Sequence, residues 1–160
     1  MKEELNFVEI VSSTTRDIRE GEIEGVTYYY VSKKEFDELN KIGEVEYGGN
    51  RYGFTKGEVD YKLNDFDKVL CIVDRHGIEQ LKDLYDDVIV IYVYSTPTEC
   101  WHRLKERDNM EDAMYRMTYA HNNGEFDNHD IADHVVNNED GKLDKVKNKI
   151  DKIVEKEFGE

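Results

Sequence analysis

A chain of 160 residues is long enough for one domain with a real core. Its formal net charge of −15 would repel nucleic-acid backbones and anionic membranes, which excludes both as general partners. With 38% hydrophobic residues, no membrane-length apolar run and no signal peptide opening at Met1-Lys2-Glu3-Glu4, a cytoplasmic protein is expected.

Phe7–Val11 alternates weakly and predicts a first strand running into a loop, Ser12–Arg19. Val26–Val31, rich in aromatic and β-branched residues, predicts a second strand. Ser32 with Glu35 forms a capping box for a helix over Lys33–Lys41 that Gly43 ends, with Phe36 and Leu39 on its buried face. A hairpin follows, Glu44–Tyr47 and Arg51–Phe54 around Gly48-Gly49-Asn50. Thr55 caps a helix through Leu63. The apolar runs Lys68–Asp74 and Val88–Val93 predict strands covered on both faces, with a helix around Gly77–Leu84 between them. Thr96-Pro97-x-Glu99 opens a helix carrying Trp101, Arg103, Leu104 and Arg107. Asp108–Asn123 is charged and helical, more an arm than core. Asp133–Asn137 is a last strand, and Lys142–Phe158 a terminal helix with Leu143, Val146, Ile150 and Ile153 at helical spacing. This alternation predicts an α/β fold with a largely parallel sheet and a small antiparallel insert at Tyr28–Phe54, with no internal domain boundary. Cys71 and Cys100 have no metal spacing and read as buried thiols.

Four hydroxyls and two arginines gather in Ser12-Ser13-Thr14-Thr15-Arg16-Asp17-Ile18-Arg19. A guanidinium fork matches paired phosphate oxygens, so Arg16 and Arg19 are candidates for an anion site. The alternative is an exposed loop whose arginines pair with Glu20, Glu22 or Glu24. Glu46 and Asp74, at strand ends, could accept hydrogen bonds from a ligand, or be solvated or capping acids. Arg103, Arg107 and Arg116 could converge on one anion, or form ordinary surface ion pairs.

The loop Ser12–Tyr28 resembles the nucleotide-monophosphate loop of the guanylate kinases, Ser-x-Thr-Thr-Arg-x-x-Arg-x-Gly-Glu-x-x-Gly-x-x-Tyr. In register after it, Val31-Ser32-x-x-Glu35-Phe36, Glu46, Gly49-Asn50-Arg51-Tyr52-Gly53, Asp74-Arg75-His76-Gly77, Arg103-Leu104-x-x-Arg107, Arg116 and Val135-Val136-Asn137-Asn138-Glu139 are similar to further family motifs. The resemblance implies a single guanylate kinase-like domain over 1–160, a P-loop-kinase-like parallel sheet flanked by helices. It would carry a monophosphate-binding insert at about 26–54 and a helical lid at about 103–124. It implies that Ser12, Arg16, Arg19, Tyr28 and Tyr52 hold the phosphate of GMP or dGMP, and that Glu46, with Asp74 and Thr55, reads guanine. A carboxylate accepts from N1 and N2 of guanine together, whereas adenine offers an acceptor at N1. The lid arginines Arg103, Arg107 and Arg116 would neutralise a transferring phosphoryl group.

Several positions depart from the family. Phe54 stands where a small hydroxyl residue is usual, Ile72 replaces an acid, Ile18 replaces proline, and the Glu46–Gly49 interval is short. Only six residues precede Phe7, so the first strand, the P-loop and the first helix are expected to be missing. Neither Thr55-Lys56-Gly57 nor Asp140-Gly141-Lys142 substitutes for the P-loop, so no site for ATP and magnesium is expected and no cofactor. The expected function is binding of a guanine nucleotide or related phosphate compound without phosphorylating it. The alternatives are a protein-interaction or inhibitor module using the same pocket, and part of a longer or split active kinase. An acidic mimic of nucleic acid would rest on net charge alone.

Overall fold

The computed structural model describes residues 7–159, so the reading of Met1–Glu4 lies outside it. Contacts divide the chain into two compact units, one up to Asp86 and one from Asp87.

In the first unit, β1 (Val8–Glu9) leads into β2 (Ser13–Thr14), and β3 (Tyr29–Tyr30) precedes α1 (Lys33–Glu38). Then come β4 (Lys41–Tyr47), β5 (Asn50–Thr55), α2 (Lys56–Asp65), β6 (Val69–Leu70) and α3 (Arg75–Leu84). β1 pairs with β6 in parallel, while the other four strands form a mixed sheet in the order β3-β2-β5-β4. The core collects Ile10, Val11, Phe36, Ile42, Phe54, Val59 and Leu81.

Local capping chemistry acts as expected. Ser32 and Glu35 form the capping box of α1, and Thr55 caps α2 by accepting from the Glu58 amide. Long-range contacts move other boundaries. Helix α1 stops at Glu38 because Lys41 already pairs with Thr55 across β4 and β5. Lys41 also donates its ammonium to the Phe36 and Leu39 carbonyls, at 2.9 and 3.0 Å, which satisfies the helix end. Gly43 therefore does not end a helix. It sits in β4 with φ +62°, where Gly43 and Glu44 together oppose Gly53 as a bulge. The run Lys68–Asp74 shrinks to the two residues of β6, and Ile72 is 86% exposed.

The second unit holds β7 (Ile91–Tyr94), α4 (Pro97–Arg107), α5 (Met110–Asn122), β8 (His134–Asn137) and α6 (Leu143–Phe158). β7 and β8 pair in parallel from Ile91↔His134 to Tyr94↔Asn137. The Thr96–Glu99 capping box and Pro97 start α4 as the sequence predicts. Alanines at 113 and 120 are the buried positions of α5, which packs on α4; Met110 and Met114 are exposed. On α6 the buried stripe runs through Val146 and Val154, and Leu143 stays exposed. Among the described residues, no helix is long and apolar enough to cross a membrane. Both cysteines are half-buried and free, and burial pushes the Cys71 thiol up to about 11, which favours its protonated form at neutral pH.

Candidate functional site

The mixed sheet decides which predicted residues can meet. Thr14 lies opposite Tyr52 on β5 and beside Tyr30 on β3. Paired residues share a face and alternate residues along a strand return to it, so Thr14, Tyr28, Tyr30 and Tyr52 stand on one side. The rings agree: Tyr28 is 6.0 Å from Tyr30 and 5.9 Å from Tyr52, both edge to face. Arg16, two residues past Thr14, brings its guanidinium over this cluster at 5.6 Å from the Tyr28 ring and 5.8 Å from the Tyr30 ring. Continuing the alternation backwards puts Ser12 on the same side. Tyr29, one residue out of phase, faces the other way and donates its hydroxyl to Glu58.

Glu22 holds Arg16 in place. Its Oε2 and Oε1 accept from Arg16 Nη1 and Nη2 at 3.0 and 2.7 Å. Oε2 also accepts from the Tyr30 hydroxyl at 2.8 Å and the Arg19 amide at 2.7 Å. These bonds, that of Arg16 above all, hold the Glu22 carboxyl down at about 2. The same contact, with a smaller effect from Tyr52, raises Arg16 above the usual arginine value. The sequence alternative of a loop pairing with its own acids is therefore realised at Glu22, and the cluster still forms. Glu22 occupies the end-on edge of the guanidinium, between its two terminal nitrogens. The two bonds to Glu22 use Nη1 and Nη2, and Tyr52 adds a further hydrogen bond to the same guanidinium. Tyr30 and Glu22 were not among the predicted site residues. The signal for Tyr30 was its two-residue spacing from Tyr28. Arg19 contributes its amide to Glu22, and its side chain is exposed.

Because Glu22 titrates lower when folded, it stabilises the loop fully above the ordinary glutamate value of 4.5 and loses that contribution as pH falls toward about 2. Glu22→Gln should flatten the acid limb: between pH 5 and 3 its melting temperature should fall less than that of the parent chain. Parallel curves in thermal unfolding would contradict the ion pair.

The three residues predicted to read guanine are placed differently. A two-residue turn, Gly48-Gly49, joins β4 to β5 with φ +57° and +72°, the double positive φ of a type I′ hairpin. It pairs Tyr47 with Asn50, Glu46 with Arg51 and Val45 with Tyr52. Glu46 is thus exposed on the face away from Tyr52. Arg51 also lies on that far face, stacked 4.7 Å from the Phe36 ring and bound to Glu44 at 2.5 Å and to Asp37. Thr55 faces the same way and caps α2. Asp74 caps α3, its Oδ1 accepting from the Gly77 amide at 2.9 Å. The structure therefore brings Arg16, Tyr28 and Tyr52 together and does not bring Glu46 or Thr55 to them.

In the second unit the predicted lid arginines already have partners. Arg103 donates to Ser95 Oγ at 2.9 Å, to the Asn138 carbonyl at 2.6 Å and to Asp140 at 2.7 Å. Arg107 and Arg116 converge on Asp108, whose carboxylate takes the Arg107 fork at 2.9 and 3.0 Å and Arg116 Nε at 3.1 Å. These two arginines hold Asp108 below the usual aspartate range, Arg107 by hydrogen bonds and Arg116 by charge.

The family model for guanylate kinase matches residues 1–157. A guanylate kinase from Oceanobacillus iheyensis is 31% identical over 159 residues, covering 95% of this chain and 74% of its own length. Another, from a Wolbachia of Brugia malayi, is 34% identical over 160 residues, covering 95% of this chain and 80% of the relative. The crystal structure of guanylate kinase from Anaplasma phagocytophilum superposes with a TM-score of 0.69 at 24% identity, over 99% of this chain and 80% of that one, which shows the shared α/β fold. With the matched span running through the Ser12–Tyr28 loop and the paired tyrosines, this chain belongs to the guanylate kinase family.

Proposed function

We propose that this chain grips the 5′-phosphate of a nucleoside monophosphate, of which GMP and dGMP are the ligands its family points to, between Arg16, Tyr28 and Tyr52. The observation that carries this reading is the single sheet face on which the three side chains meet around an arginine held by Glu22. Ser12 and Arg19 belong to the same loop and complete the grip as the phosphate arrives. Charge-assisted bonds from a guanidinium and two phenols suit a dianion, and an acidic body makes such a local positive spot necessary.

These 160 residues bind without phosphorylating on their own. They contain no Gly-x-x-Gly-x-Gly-Lys-Ser/Thr run to cradle donor phosphates. The two partial resemblances are used structurally: Lys56 lies in α2, bound to Asp60 at 2.6 Å, and Lys142 pairs with Glu139. A second reading, in which this chain is the acceptor side of a longer or split active kinase, is favoured by relatives that all carry the name guanylate kinase and extend beyond the matched span. A coupled assay with ATP, magnesium and GMP tests whether these residues phosphorylate on their own. No turnover by the 160-residue chain is expected, and measurable turnover would overturn the non-phosphorylating reading.

A further inference from the structure

The loop that carries Arg16 has to be registered against the sheet that carries Tyr52, and one hydroxyl makes that tie. Glu22 lies in the loop, in a turn whose backbone closes from the Glu22 amide to the Arg19 carbonyl at 3.1 Å. Its carboxylate meets four donors, about as many as a carboxylate can accept from. Two of these come from Arg16, the group being held, and one is the Arg19 amide, which belongs to the same turn and moves with it. The fourth is the Tyr30 hydroxyl, at 2.8 Å, and it alone of the four comes from a strand.

Tyr30 is well fixed to serve as an anchor. It pairs in parallel with Thr14 of β2, a fully buried residue. Beside it, Val31 donates its amide to the Thr14 carbonyl at 2.9 Å, and the Tyr30 amide donates to Glu24 at 3.2 Å. Its ring meets the Tyr28 ring edge to face at 6.0 Å. A side chain locked by such packing can hold a neighbouring polar group in one geometry. Thr14 Oγ1 also accepts from the Arg16 amide at 3.2 Å, so the backbone of the arginine and the carboxylate that holds its head both trace back to the Thr14–Tyr30 pair. Partial burial, and then the bond to Glu22, push the Tyr30 hydroxyl up, so it is protonated and donating at neutral pH.

We propose that Tyr30 is a positioning residue of the phosphate grip and acts through Glu22: its hydroxyl sets the carboxylate that aims Arg16 at the ligand. The inference rests on the phosphate reading above. Tyr30→Phe keeps the ring contacts to Tyr28 and Arg16 and removes only the tie to Glu22, so the variant should fold. Titration calorimetry of the full 160-residue chain with GMP tests the proposal as a double-mutant cycle with Glu22→Ala. Tyr30→Phe should bind GMP roughly 3- to 10-fold more weakly, the scale of one net hydrogen bond to a charged group. The same change made in Glu22→Ala should cost less than about twofold, because the path through Glu22 is already cut. In the ligand-free chain the Arg16 Nε–H resonance should be sharp in the parent and broadened in Tyr30→Phe, a change that a hydroxyl serving the fold alone would not produce. Unchanged GMP affinity in Tyr30→Phe, an unchanged Arg16 resonance, or equal losses in the two backgrounds overturns the proposal while leaving the phosphate grip intact. Failure of the parent chain to bind GMP refutes the phosphate reading and this inference with it.

Discussion

Replacing Arg16 with alanine is expected to weaken nucleoside monophosphate binding by roughly 30- to 1,000-fold. That range corresponds to about 2 to 4 kcal/mol, the loss of one or two charge-assisted bonds to a phosphate. The effect is large because the arginine is set up before the ligand arrives. Glu22 fixes its end-on edge, the Tyr28 and Tyr30 rings lie beneath it, and its side chain is only 10% exposed. Little side-chain entropy remains to be lost on binding. Arg16→Lys keeps the charge and loses the planar fork, so it should fall between the two. Calorimetry on the three proteins checks the order, and equal affinities would place the phosphate elsewhere. The alanine variant should also melt earlier, since Glu22 then lacks its counter-charge, and Arg16→Ala combined with Glu22→Ala should recover part of that loss.

Gly77→Ala is expected to lower stability measurably. A β-carbon there would stand 2.9 Å from the Gly43 Cα and 2.9 Å from Val73 Cβ, closer than real side chains come. Neither neighbour is the free end of a flexible chain: one is the backbone of the β4 bulge and the other a β-branched residue at the entry to α3. Overpacking of this kind costs about 1 to 3 kcal/mol, and a drop in Tm of roughly 5 °C is expected. Gly57→Ala is the contrasting change. Its β-carbon meets only Thr55 Oγ1, at 3.8 Å, and the residue lies in α2. Alanine there should leave the melting temperature unchanged or raise it slightly. Thermal unfolding of both variants tests the close approach of Gly77 to Gly43, and equal melting temperatures would contradict it.

What could be read from the sequence was local. The Ser32–Glu35 capping box, the Thr96-Pro97 start of α4 and the Thr55 cap depend on residues a few positions apart, and each is where the sequence put it. The tyrosine cluster was partly legible for the same reason, since Tyr28 and Tyr30 share strand parity whatever they pair with. Strand lengths were not legible: Val26–Val31 becomes two residues because the chain turns tightly at Ile23–Thr27, where the Val26 and Thr27 amides both donate to the Ile23 carbonyl.

The face on which Glu46 lies turns on a single residue of the turn. A turn of three residues, Gly48-Gly49-Asn50, would pair Glu46 with Tyr52 and put its carboxylate beside the phosphate cluster. The actual turn is Gly48-Gly49 alone, which pairs Glu46 with Arg51 and reverses its face. Asp108 illustrates a different limit. Spacing places Arg107 and Arg116 on helices but cannot show that one carboxylate, at the C-cap of α4, takes both.

Tyr29 offers the sharpest control for the central claim, because it sits between two site tyrosines and points to the opposite face. Nuclear magnetic resonance of the chain labelled on its tyrosine rings, titrated with GMP, follows Tyr28, Tyr29 and Tyr52 at once. The predicted result is that the Tyr28 and Tyr52 rings shift along one saturation curve while Tyr29, bonded to Glu58, stays put. No saturable shift at Tyr28 and Tyr52, or a Tyr29 ring that moves with them, would contradict a phosphate grip on this face of the sheet.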